Sequence, residues 1–257
     1  DVCKHAALAK GDEPLRYIAY NDGVIPGNPF RPEKGRKVEA WYWICIGWPD
    51  YIINRSACWP VATVIRTSVI DAIPGGISQV SMQVLKSFKQ LADGISLPIG
   101  NGHFVLRASF AGFLADLLAH KQILCNRGTG GVRLCHNCIN LAKRHSGLYD
   151  VDEVTLKTAN PDEFLRHTDE SLFDMVDRLH GLVGTITQTK LDALVTDTGF
   201  NVEFKGLIMD QSMRTIYSPI NHHIRDWMHI LVGDGVANTE VALILHRLKS
   251  INVSLEM

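Results

Sequence analysis

Hydrophobic and polar positions along the 257-residue chain fall into blocks with two different periods. Residues 16–22 (RYIAYND) alternate with period two and run into the turn-rich GVIPGNPFRPEKGR, which predicts a strand carrying Asp22 to its C-terminal edge. Residues 38–48 (VEAWYWICIGW) and 58–70 (CWPVATVIRTSVI) are dense in aromatic and β-branched side chains, and predict two more strands, most simply as antiparallel neighbours. After the turn at Pro74-Gly75-Gly76 the period lengthens, and Ile77, Val80, Val84, Leu85, Phe88 and Leu91 recur at helical spacing. GHFVLRASFAGFLADLLAHKQIL reads as a strand from Phe104 to Phe110 followed by a helix. It leaves Asp116 in apolar surroundings, where a carboxylate is costly unless it reaches an edge, a cation or a site. From Asp150 to about Thr198 the chain is acidic and helical, with an N-cap expected at Thr168-Asp169. Short extended pieces are expected at 207–209 and 216–220, and a last helix from about Val236 to Leu248.

Composition narrows the class without naming a function. An apolar share of 46%, a charged share of 21% and a mean hydropathy of +0.03 describe a globular chain able to bury a full core. No apolar run approaches the roughly 20 residues that span a bilayer, so no membrane partner is expected. One domain over 1–257 is predicted, with a helical insertion at 139–203. The ends, DVCKHAALAK and RLKSINVSLEM, read as cuts from a longer polypeptide.

The net charge of −1 hides an asymmetry. Between Tyr51 and Tyr149 there are ten Lys/Arg against three acids, whereas between Asp150 and Glu203 there are four against twelve. The first stretch permits contact with a polyanion and the second opposes it.

Chemistry concentrates in two sets of residues. Cys135 and Cys138 form the one C-x-x-C, in LCHNCINLAKRH after a glycine turn, with His136 and His145 close by. Half of a zinc site is the reading taken, with buried thiols or a redox pair as alternatives. The second set is acidic: Asp22 at a strand end, Asp116 after a later strand, and Glu240 in the final helix. Two divalent cations about 4 Å apart need such bridging carboxylates, which are the hard ligands magnesium prefers. On the final helix, Val236, Ala237, Glu240, Val241, Ile244 and Leu248 share one face, so Glu240 sits in a mainly apolar stripe. The alternatives for it are a salt bridge to Arg107 or Arg247, or a side chain that bends out to water near the helix start, where its charge suits the dipole.

Four blocks in order carry a resemblance. They are YNDGVIPGNPF at 20–30, CWPVATVI at 58–65, FVLRASFAGFLADLLAHKQILCNRGTGGVRLCHNC at 104–138, and DWMHILVGDGVANTEVALIL at 226–245. Together they resemble the DDE-type transposases of CACTA (EnSpm-like) DNA elements. The VIPG insert and the longer stretch after His229 depart from that family's pattern.

The resemblance implies an α/β, ribonuclease H-like mixed sheet flanked by helices. It implies Asp22 and Asp116 as metal-binding aspartates with Glu240 as third acid, holding magnesium or manganese. It implies structural zinc on Cys135, Cys138 and His229, with one further ligand among His222, His223 and Asp226. DNA and further copies of the chain are the implied partners, and the nucleus the implied location. The expected function is a transposase catalytic core that nicks DNA and transfers the freed 3′ end. Its rivals are a zinc-stabilised binding remnant without catalysis, and a nuclease of the same fold that does not join strands.

Overall fold

The computed structural model describes residues 14–26, 36–144, 153–154, 160–202, 205–226 and 247. Its centre is a five-stranded mixed sheet in the order β3-β2-β1-β6-β7. Strands β1 (Leu15–Val24), β2 (Val38–Cys45) and β3 (Val61–Arg66) form an antiparallel meander. On the other side of β1, β6 (Ala108–Ala115) and β7 (His223–Arg225) run parallel to it. A separate antiparallel ribbon, β4 (Ile95–Ile99) with β5 (Gly102–Leu106), precedes β6.

Among the described residues, four helices longer than one turn accompany the sheet: α1 (Gly76–Phe88), α2 (Leu117–Ile123), α3 (Asp169–Leu182) and α4 (Gln188–Thr198). Ile77, Val80, Val84 and Leu85 of α1 are buried, as the helical spacing predicts. They share one core with Ala19, Trp41 and Phe113 of the sheet and with Leu172, Val176 and Leu179 of α3. Helix α3, within the span read as an insertion, therefore packs into the main core. Thr168 caps it by accepting from the Ser171 N–H, and the Ser171 hydroxyl answers the Thr168 N–H. Among the described residues, no helix is long and apolar enough to cross a membrane.

Several elements differ from expectation; residues 216–220, for one, form turns and not an extended piece. Pairing of β3 begins at Val61 because Pro60 has no N–H to give, and Thr67–Ile70 turns helical, which buries Ile70. Phe104 belongs to the ribbon, while the central strand is Ala108–Ala115 (ASFAGFLA). A parallel strand covered on both faces is apolar throughout, so period two does not mark it. Residues 207–209 form a 3-10 turn and not an extended piece.

Polar pins cross this core. The fully buried Ser78 hydroxyl of α1 donates to the Ile123 carbonyl at the end of α2 (2.6 Å) and accepts from the Leu207 N–H (2.7 Å). One turn on, Ser81 accepts from the Trp41 indole N–H at 3.1 Å. Replacing Ser78 by Ala strands a buried carbonyl and a buried N–H. It should lower unfolding stability by about 1–3 kcal/mol in urea titrations, with an unchanged m-value.

Candidate functional site

The parallel register builds the first site. Tyr20 pairs with Leu114, and Leu114 with Ile224. Two positions further along these strands stand Asp22, Asp116 and Asp226. By alternation Asp22 shares the face of Tyr20, while Asp116 and Asp226 each stand one residue past the end of their strand. The Asp226 N–H donates to the Ala115 carbonyl (3.1 Å) and extends the ladder by one step. The Asp116 carboxylate caps α2, accepting from the Ala119 N–H at 2.6 Å. That bond occupies one oxygen and fixes the direction of the other.

Tyr20 reports on the cluster. Its hydroxyl donates to Asp22, and burial together with the charges of Asp22, Asp226 and Asp116 pushes its pKa up. A phenolate beside three carboxylates would be repelled, so the group stays a donor. Asp226, read from the sequence as an optional zinc ligand, thus lies with the acids. Glu240 lies outside the described residues.

The second set surrounds the C-x-x-C. The Cys138 thiol donates to the Cys135 sulfur, and with backbone N–H groups of Asn137 and Cys138 this lowers the Cys135 pKa to about 6 against the cost of burial. The same bond and burial push the Cys138 thiol up. Among the described residues no cysteine forms a disulfide. His136 between them has a buried Nε2 atom with no hydrogen-bond partner among the described residues. Two sulfurs and an unsatisfied imidazole nitrogen are zinc-type donors. Among the described residues, however, no three His, Cys, Asp or Glu side chains are arranged to hold a metal ion.

The further zinc ligands considered from sequence have other occupations. His222 Nδ1 accepts from the Ser218 N–H at 3.0 Å. His223 stands in a chain whose proton positions follow from its ends. His120 Nε2 faces the Ile224 carbonyl (2.9 Å) and must carry a proton there. In the neutral ring its Nδ1 then accepts from His223 Nδ1 (2.6 Å), and His223 Nε2 accepts from the Tyr217 hydroxyl (2.6 Å). Burial lowers the pKa of both histidines, which keeps the chain neutral. His229 lies outside the described residues.

Charge is also redistributed relative to the linear pattern. Arg133 of the basic stretch is buried against Glu153 of the acidic one, at 2.6 Å. It is therefore unavailable to a polyanion.

No family model matches this chain, and no curated protein matches it.

His167 is 7% exposed, its Nδ1 lies 2.9 Å from the Ser171 hydroxyl, and burial with the nearby Arg133 lowers its pKa to about 4. Below the ordinary value of 6.5 the unfolded chain takes up this proton and the folded chain does not. Stability should be full above pH 6.5 and fall toward pH 4, by about 1.4 kcal/mol per pH unit from this group. Urea titrations across that window check the slope, which a His167→Gln variant should reduce by that amount.

Proposed function

We propose that the chain is the catalytic core of a DDE-type transposase with a ribonuclease H-like fold, cutting and joining DNA phosphodiesters. One observation carries the reading: Asp22, near the end of β1, and Asp116 and Asp226, each one residue past β6 and β7, stand near enough to Tyr20 for all three charges to act on it. Open α/β sheets bind ligands beyond the carboxyl ends of their strands, where these aspartates stand. The mixed sheet with packed helices is the architecture the reading requires.

In this reading the three aspartates hold magnesium or manganese, with Glu240 as a further candidate acid. Two such ions supply activation of the attacking oxygen and stabilisation of the leaving one. Without cations like charges repel, so metal binding would draw the carboxylates together. The Ala119 N–H orients Asp116, and the Tyr20 hydroxyl orients Asp22. Exposed Lys and Arg of the basic stretch hold the phosphate backbone, and self-association supplies the second active site that a paired-end reaction needs. Nuclear DNA is the expected substrate. Structural zinc on Cys135 and Cys138, completed by His229, is proposed on the donor chemistry of the C-x-x-C loop.

Asp22→Asn and Asp116→Asn should each abolish magnesium- or manganese-dependent nicking of supercoiled plasmid, with an unchanged circular dichroism spectrum. Asn retains the cap on α2, so lost activity is not lost folding. Nicking that survives both substitutions overturns the reading, whereas nicking without joining of a pre-cut end reassigns the chain as a nuclease. For zinc, elemental analysis of purified protein should find one equivalent, and chelation should lower the melting temperature.

A further inference from the structure

A cavity of about 530 Å3 lies at the end of the sheet where the aspartates stand, with His223 and Arg225, which alternate with Ile224 and Asp226 along the chain, in its wall. It lies within the roughly 300–1,000 Å3 range of small-molecule sites. Its walls come from the segments that follow and precede two of the acids: Leu117 and Leu118 after Asp116, and Arg225 before Asp226. Leu117 and Leu118 are 67% and 54% exposed, an unusual state for two consecutive leucines in the first turn of a helix. Lys121 and Arg225 bring two cations, and among the described residues no carboxylate lines the space.

The inner wall holds an unsatisfied donor. Asn126 is 8% exposed, its Oδ1 accepts from the Gly128 N–H (2.7 Å), and its buried amide Nδ2 has no hydrogen-bond partner among the described residues. Such a group costs about 1–3 kcal/mol unless something fills the space and accepts from it. Gly128 is held at φ +50° with the Lys121 stem where a Cβ would stand, so this wall is built tightly.

A flat apolar body, an acceptor on its edge and a negative charge at the mouth would satisfy leucines, amide and cations together. A nucleotide has all three. We propose that the cavity receives an unstacked base of the bound DNA strand, with Asn126 Nδ2 donating to the base edge and Arg225 and Lys121 near the backbone. The proposal rests on the DNA-processing reading above. Extrusion of a base costs a few kcal/mol of stacking, which an apolar, charge-complementary cavity offsets.

The test is the fluorescence of a duplex carrying 2-aminopurine beside a nick, titrated with the protein in the absence of divalent metal. A several-fold rise on binding is expected. It should fall at least fivefold in Asn126→Asp, which keeps the acceptor for Gly128 and removes the donors. It should fall likewise in Leu118→Phe, which narrows the mouth at an exposed position and leaves the core untouched. No rise with the unaltered protein, or an undiminished rise in Leu118→Phe, overturns the proposal. A rise with free 2-aminopurine deoxyribonucleotide but none with the duplex overturns the DNA source. Plasmid nicking measured on the same proteins separates the two readings: nicking without the base signal removes the cavity alone. The base signal without metal-dependent nicking supports the cavity and removes the catalytic assignment.

Discussion

The parallel pairing of β1 with β6 is the constraint on which the remaining geometry depends. Strand β1 is central, joined to an antiparallel meander on one side and to two parallel strands on the other. A one-residue slip would turn every side chain of β1 to the opposite face, taking Ala19 out of the core and Asp22 away from Asp116. The slip is resisted from both faces. Ala19 and Phe113 pack under α1 and α3, while Ile18 and Ala111 pack with Ile44 on the other side. The bulge between Tyr17 and Ile18 resets the pairing once, skipping Ala111, and from there Ile18, Ala19 and Tyr20 run in step with Gly112, Phe113 and Leu114. The alignment of the acids is thus stabilised by hydrophobic burial remote from them.

Buried polar groups act differently, setting angles between elements that apolar contact alone would leave adjustable. Ser78 ties α1 to the end of α2 and to the turn at Leu207. The Tyr217, His223 and His120 chain ties the segment before β7 to α2, so that the strand ending at Asp226 and the helix starting after Asp116 hold one relative position. The Arg133–Glu153 pair joins the two oppositely charged stretches of the sequence within the protein. Such pairs add little net stability over an apolar core of the same shape, but losing one partner leaves a buried charge. Their value here is positional, and the segments they hold flank both the carboxylates and the cavity.

Much of this was legible in the sequence, for identifiable reasons. Period two around Tyr20, the β-branched runs near Trp41 and Val64, the helical stripe from Ile77 to Leu91 and the cap at Thr168 are local signals, each set by a residue's own preferences and its near neighbours. They marked β1, β2, β3, α1 and α3, and singled out Asp22 and Asp116 by their place after apolar segments. Strand β6 was blurred because burial on both faces erases alternation. Strand β7, three residues long, is too short to carry any period.

Only the tertiary structure decided which distant residues meet. Asp226 joins Asp22 and Asp116 because β7 adds to β6 in parallel, a pairing with no counterpart in local sequence. His223 pairs with His120 across 103 positions, and that leaves it no free nitrogen for the cysteines beside it. The unsatisfied amide of Asn126 and the cavity it lines exist only once α2, the C-x-x-C loop and β7 are packed together. The sequence by itself determined the elements and the chemical types available, since those follow from local propensity. Their convergence follows from register, burial and side-chain direction, which act between residues far apart along the chain.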